Sequence, residues 1–575
     1  MTAAAPATTS RTFVPADIDL ADFDRIEPLY RILLDRPVET VAQLQSWLKD
    51  ASELSAAIDE YGNRRYIDNS CHTDDPALEK AYLHYVENVD PKVKPLAFEM
   101  QKKFLASPAL EQLRGDRWYA MLERKWKADV EVFRAENVPL ETQVTKLTNE
   151  YDKISGEQMV TFKGKEYTPQ QIARFYEQTD RPTRQGAWEA ATSRRLQDAE
   201  RIETIFDKQL PLRQTIAQNA GMRNYRDLAW KANKRFDYTP ADCQRFADAI
   251  AATVVPLVAK LHADRAKDLG IDSVRPWDLE VDPQNRSPLH PFAENDVDGF
   301  VAKTREIFDR LSPDIAADFD QLKLHGNLDL ASRKGKQPGG YQCSLEESKQ
   351  PFIFMNAAGL HRDVETLLHE GGHAFHYQWA CRKEPLVFLR SAPMEFCEVA
   401  SMAMELLGGE HLDVFYDAEG QARAARKKLE GILRFFPWMA TIDQFQHWIY
   451  THQGHSREER AAHWLMLMDR FGKGVDWTGH ELARRTLWQR QLHLFHAPFY
   501  YIEYGIAQLG ALQLWMKAKE DPHRALANYR TALTLGGTRT LPDLFAAAGI
   551  RFDFSEKTLA PLVRAIEEEL AGLPA

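Results

Sequence analysis

The chain has 575 residues, 44% of them hydrophobic and 27% charged, with 13 Trp and a formal net charge of −11. That apolar share is ample for a large buried core and excludes an intrinsically disordered chain. The acidic balance argues against a dedicated binder of nucleic acid or of anionic membranes.

Residues 1–20, opening MTAAAPATTSRTFVPADID, contain no basic stretch followed by an apolar run. They read as a disordered lead-in rather than a signal peptide. From about residue 22 to 135 apolar residues recur at 3–4 spacing on a charged background, as in VAQLQSWLKDASELSAAIDEY (41–61) and PLAFEMQKKFLASPALEQL (95–113), which predicts amphipathic helices. EQMVTFKGKEYT (157–168) alternates around Lys-Gly, predicting a short hairpin before a helix that starts near Thr168-Pro169. Helical texture resumes over 195–262.

The composition changes between 268 and 358. HGNLDLASRKGKQPGGYQCS (325–344) and PFIFMNAAG (351–359) carry short apolar runs bounded by glycines and read as strands. After residue 361 the pattern is helical almost to the end. The expected organisation is a lead-in over 1–20, a helical N-terminal region over 21–195 and a catalytic domain over 196–575. No run approaches the 18 apolar residues of a membrane span. The five cysteines (Cys71, Cys243, Cys343, Cys381 and Cys397) contain no C-x-x-C pair, which argues against disulfides and against a thiolate zinc site. The expectation is a cytoplasmic protein.

The chemistry concentrates in LLHEGGHAFH (367–376). Residues four apart on a helix face the same way, so His369 and His373 can bind one Zn²⁺ together, with Glu370 between them placed to work on water. Val364, Leu368, Phe375 and Trp379 gather on a different face, the one expected to be buried. His376 falls on the histidine side, either as a neighbour of the substrate or as an incidental polar residue. Gly371 and Gly372 each cost a helix interior about 1 kcal/mol relative to Ala, so something must compensate. A catalytic zinc needs a third protein ligand, and APMEFCEVASMAMELL (392–407) offers Glu398 and Glu405 on one face, with Glu395 about 60° away. Glu398 as ligand and Glu405 as the partner that orients a ligating imidazole fit that need.

DVETLLHEGGHAFH, followed by Glu398 in EFCEVASMAME, resembles the M3 family of zinc oligopeptidases, most nearly its oligoendopeptidase F branch. GKQPGGYQCS, PFIFMNAAG and HLFHAPFYYIEYGIAQLG (493–510) agree in order, so the resemblance runs over about residues 200–570. It implies a mostly α, two-lobed helical peptidase with a small β-sheet beside the zinc helix and a deep substrate channel. One zinc per chain would be held by His369, His373 and Glu398, with Glu370 as general base and Glu405 as the second carboxylate of that helix. The downstream stretch implies a histidine and tyrosines that bind substrate and the oxyanion. His493 competes there with His496, and Tyr500 and Tyr501 with Tyr504; His496 is then expected on the substrate-binding side. Similarity of PFYYIEY to angiotensin-converting-type peptidases favours Tyr504 and His493 as oxyanion donors and Tyr501 as a substrate binder. Gly339 and Gly340 would let a peptide backbone approach an edge strand. The implied reaction is endoproteolysis of short unfolded peptides, with a C-terminal exopeptidase (dipeptidyl carboxypeptidase or carboxypeptidase) as the alternative. The expected partners are peptide substrates only, with no nucleic acid and no membrane, for a monomer or homo-oligomer.

Overall fold

A computed structural model of the chain describes residues 11–574 apart from 294, 295, 334 and 338. It is mostly helical, as the periodicity implies, with one two-stranded and one three-stranded sheet among the described residues. Two compact units share the chain, and each is discontinuous in sequence. The first takes Met1–Phe133, His290–Ala424 and Ile506–Phe552; the second takes Arg134–Leu289, Ala425–Gly505 and Asp553–Ala575.

The first unit begins with helices Phe23–Asp35 and Val41–Cys71. Both starts are set locally: Asp22 accepts from the Asp24 N–H, and Thr40 and Gln43 form a reciprocal capping box. Ile26, Leu29, Tyr30 and Leu33 recur at helical spacing and share one buried cluster with Leu44, Trp47, Leu48 and Leu54. Residues 11–20, expected as the end of a disordered lead-in, are instead docked. The Glu53 carboxylate accepts from the N–H groups of Thr12, Phe13 and Val14, each at 2.8 Å, and Arg11 pairs with Glu347. Val14 and Leu20 are buried; in the sequence they are diluted by small and polar neighbours. The rest of that expectation falls on residues 1–10, outside the described residues.

Strands are numbered along the chain: β1 Val160–Phe162, β2 Lys165–Tyr167, β3 Leu328–Ala331, β4 Tyr341–Leu345 and β5 Gln350–Ala357. The three-stranded sheet has the order β3-β5-β4, with β3 parallel and β4 antiparallel to β5. The central strand is buried over Phe352, Ile353, Phe354 and Met355, which is why it reads as an unbroken apolar run rather than an alternation. Lys336, its side chain fully buried, joins the two parallel strands: it donates to Asp329 O (3.0 Å), Asp329 Oδ1 (2.9 Å), Ala331 O (2.9 Å) and Met355 O (2.5 Å). After β5, Gly359 at φ +81° turns the chain into helix His361–Lys383. Asp363 accepts from the N–H groups of Ala358 and Leu360 at that helix start, as free first-turn donors require.

In the second unit β1 and β2 form the expected hairpin, with Lys163 at φ +50° and Gly164 at φ +75°, the left-handed pair of a type I′ turn. A helix starts at the expected place, capped by Thr168 and Gln171, but as α-helix it runs only over Pro169–Ile172. The helix Pro240–Asp268 is long and apolar enough to cross a membrane by length and composition, and half of that window is buried within the chain. Its Phe246, Ile250 and Val254 belong to the core.

Candidate active site

Helix His361–Lys383 packs lengthwise against helix Met394–Gly409 within the first unit. A glycine permits that closeness. A Cβ on Gly372 would sit 2.6 Å from the Ala400 carbonyl oxygen and 2.7 Å from Ser401 Cα, backbone atoms of the neighbouring helix. Tyr529 fixes the same carbonyl by donating its hydroxyl to Ala400 O at 2.6 Å. Gly371 answers a softer demand, since its Cβ would meet Phe308 Cζ at 2.9 Å.

Across this seam the side chains expected from the sequence converge. His369 Nε2 and His373 Nε2 each lie 3.5 Å from Glu398 Oε2, and the two rings are 4.9 Å apart at 84°. His369 donates from Nδ1 to Glu405 Oε1 at 2.6 Å. That bond fixes the orientation of the ring and leaves Nε2 on the side of Glu398. Ser401 donates to Glu398 Oε2 at 3.1 Å and to its backbone carbonyl at 3.0 Å. Sequence reading missed Ser401, although its place one turn beyond Glu398 on the same helix is the available signal.

The donor set fits a zinc ion. Tetrahedral donors at zinc–ligand distances stand about 3.3–3.5 Å apart, close to both imidazole–carboxylate separations. The local charge agrees. Burial works against a charged imidazole, but the Glu405 hydrogen bond and the charges of Glu405, Glu370 and Glu398 outweigh it and hold the His369 pKa at about 9. The cluster therefore draws positive charge. Glu370 is 5% exposed and its Oε2 has no hydrogen-bond partner. Burial raises its pKa, against the lowering effect of His369 and His373. A buried carboxylate with an unmet oxygen beside this donor set is poised to accept a proton.

His376 does not join the group. It is buried beside Phe396, and burial lowers its pKa to about 3, so it stays neutral. Gly340 lies against the two-histidine helix, where a Cβ would meet Thr366 Cγ2 at 3.2 Å, and Gly339 holds φ +104° while its carbonyl accepts from Asn356 Nδ2 at 3.0 Å. Both precede β4, an edge strand of the sheet.

The remaining expected residues lie in the second unit. His493 forms a ring cluster with Tyr500, Tyr501 and Tyr504 at centroid distances of 5.7, 5.1 and 5.7 Å. Gln491 Nε2 reaches His493 Nδ1 at 2.7 Å. Burial pushes the Tyr501 hydroxyl up to about 12, so it remains a donor. His496 turns elsewhere, pairing with Asp152 Oδ1 at 2.7 Å, so within this unit the tyrosine cluster includes His493 and not His496. The segment is held by buried guanidinium groups. Arg213 donates to Leu494 O at 3.0 Å and also to Phe495 O. Arg235 donates to Phe499 O and pairs with Glu503 Oε1 at 2.8 Å. Phe499, fully buried, sits at φ +70° with its N–H donating to Gln446 Oε1 at 2.5 Å. A bulky residue in that region is strained and held by its surroundings.

Known proteins resemble this chain in both sequence and fold. A family model described as peptidase family M3 matches residues 174–563, and one described as peptidase M3 N-terminal domain matches residues 13–133. An oligoendopeptidase F homolog of Mycoplasma pneumoniae is 22% identical over 492 residues, 77% of this chain and 74% of the relative. Oligoendopeptidase F of Lactococcus lactis subsp. cremoris is 25% identical over 237 residues, 40% of this chain and 36% of the relative. A solved structure of Pz peptidase A with an inhibitor superposes with a TM-score of 0.90 at 26% identity, covering 97% of this chain and 99% of that one.

Proposed function

The chain belongs to peptidase family M3, and we propose that it is a zinc-dependent endopeptidase hydrolysing short unfolded oligopeptides. The observation that carries this reading is the convergence of His369, His373 and Glu398 within 4.8 Å of one another, with a partnerless Glu370 oxygen beside them. The endopeptidase mode is supported by the relatives it matches, which are named oligoendopeptidase F.

His369, His373 and Glu398 would hold the zinc. Bound there, zinc supplies a Lewis acid that acidifies water and polarises the scissile carbonyl. Glu370 accepts the proton of the attacking water and delivers it to the leaving amine; its burial keeps that carboxyl basic enough for both transfers. Glu405 holds the His369 ring in one orientation, and Ser401 holds the Glu398 carboxylate. The family resemblance gives Tyr504 and His493 the role of donors to the oxyanion and Tyr501 that of a substrate binder; one such donor is worth about 10²–10³ in turnover. By the same resemblance, Gly339 and Gly340, which lead into the outer strand β4, let the backbone of an extended peptide approach.

The test combines metal analysis with cleavage of peptides blocked at both ends. Stoichiometric zinc and internal cleavage of doubly blocked peptides are expected. Glu370→Gln should keep its zinc and lose about 10²–10⁴ in kcat. Cleavage restricted to peptides with a free C-terminus would replace the endopeptidase reading by the exopeptidase one.

A further inference from the structure

Among the described residues a second group of side chains has the donors of a metal site, and it lies wholly within the second unit. Cys243 sits near the start of helix Pro240–Asp268. Asp443 and His447 sit one turn apart on helix Ala418–Thr451, the same i, i+4 arrangement that aligns His369 with His373. The sulfur, one carboxylate oxygen and one ring nitrogen all lie within 4.8 Å of one another. His447 Nε2 is 3.4 Å from Asp443 Oδ2, again the separation expected of two donors sharing a tetrahedral zinc, about 3.3–3.5 Å.

The polar atoms here need an explanation. Cys243 and Asp443 are each 1% exposed, and the His447 side chain is 11% exposed. Asp443 Oδ2 accepts from Gln444 Nε2 at 3.1 Å, but Asp443 Oδ1 and His447 Nε2 have no hydrogen-bond partner. An ordinary core histidine bonds its ring nitrogens, and a buried carboxylate fills its lone pairs, because leaving them empty is costly. A simple Asp443–His447 ion pair does not satisfy these atoms, since the close approach forms no hydrogen bond. A divalent cation between the three side chains gives His447 Nε2 a partner and balances the charge of the buried Asp443 carboxylate. The mixed sulfur, nitrogen and oxygen set selects a borderline-soft ion over magnesium or calcium, which take oxygen ligands.

We propose that Cys243, Asp443 and His447 bind a second zinc ion, in a buried three-ligand site separate from the His369–His373–Glu398 centre. The Cys243 thiol gives up its proton on coordination, so uptake releases a proton and weakens as pH falls. One position of the tetrahedron is left to a non-protein ligand. Aromatic rings wall the site: Trp230 and Phe499 lie 5.5 and 5.4 Å from the His447 ring. The ion would tie the start of one long helix to the end of another. It would also fix His447 against Phe499, the strained residue that precedes the tyrosine cluster. The sequence shows no C-x-x-C because the site needs only one sulfur, and its ligands are split between two distant helices.

The two sites are separable because only the second contains sulfur. Untagged His369→Ala/His373→Ala protein, freed of metal and titrated with Co²⁺, should bind one equivalent and develop a near-ultraviolet thiolate-to-cobalt charge-transfer band. Adding Cys243→Ser should abolish that band. By elemental analysis the wild-type chain should carry two zinc ions and the His369→Ala/His373→Ala chain one. A His369→Ala/His373→Ala chain that is folded by circular dichroism yet binds no cobalt, or binds it without the band, overturns the proposal, as does a band that survives Cys243→Ser. The cobalt titration leaves the second site's residues intact, so it decides the question even if Cys243→Ser fails to fold. Loss of the first ion in the double-alanine chain reports on the proposed catalytic centre independently.

Discussion

Replacing Gly372 by Ala sets two local rules against each other. Helix propensity alone favours the change by about 1 kcal/mol, because Gly is the poorest non-proline residue in a helix interior. The Cβ, however, would lie 2.6 Å from Ala400 O and 2.7 Å from Ser401 Cα, about 0.8 Å inside ordinary contact. Both obstacles are backbone, so no rotamer relieves the clash and helix Met394–Gly409 must move. Overpacking of this kind costs about 1–3 kcal/mol, leaving the variant about 0–2 kcal/mol less stable rather than 1 more stable. The shift carries Glu398, whose place relative to the two imidazoles tolerates only about 0.2 Å, so zinc affinity and kcat/KM should fall more than stability does. Gly431, a mid-helix glycine whose added Cβ would meet nothing within 4 Å, serves as control: Gly431→Ala should be stabilising by about 0.5–1 kcal/mol and fully active. Urea titrations, chelator competition for zinc and steady-state kinetics on the pair measure all three quantities. A Gly372→Ala protein that is stabilised and keeps full activity would refute the reasoning.

Glu405→Gln should leave the fold intact and weaken zinc binding about 10–100-fold, through loss of the carboxylate that orients His369; chelator competition reads it. Tyr504→Phe should lower kcat by about 10²–10³ with little change in KM, whereas His496→Ala, which removes the pairing with Asp152 and an edge-on contact with Tyr151, should leave both constants near wild type. Asp329→Asn tests the lysine that joins β3 to β5. Burial disfavours the Asp329 charge, but hydrogen bonds from Arg333 and Lys336 outweigh it and hold the carboxyl well below the usual range. A lowered folded-state pKa contributes stability above the ordinary value near 4, lost as pH falls below it. The variant should thus be less stable at pH 7, by about 1–3 kcal/mol, and lose the acid-side fall in stability that this group causes, as followed by urea titration from pH 7 to 3.

The candidate metal centre was legible because helical periodicity converts spacing into direction. Positions 369 and 373, and then 398 and 405, share faces whatever the rest of the chain does, and the structure brings these four together. The hairpin at 157–168 was equally local, fixed by Lys163-Gly164. Residues that depend on distant partners were not legible. Nothing near Val14 announces that Glu53 will hold the backbone of residues 12–14. His376 shares the histidine face by angle, yet Phe396 of the adjoining helix buries it. Arg213 and Arg235 look like ordinary surface arginines until the tertiary fold buries them against the carbonyls of residues 494–499. Cys243 and His447 are apart by about two hundred positions, and no pattern in either segment points to the other.

The interleaving of the two units sets an order of events during synthesis. Translation crosses between them five times, and the first unit lacks its last segment until residue 552 has been made. His369, His373 and Glu398 all belong to its middle segment, His290–Ala424, so the nascent chain carries the three donors while the helix that bears Tyr529 is still unmade. At about 5–20 residues per second the interval lasts seconds, long enough for a chaperone or a stray ion to meet the incomplete unit. No single cut separates the units either, so neither can be produced as one uninterrupted fragment.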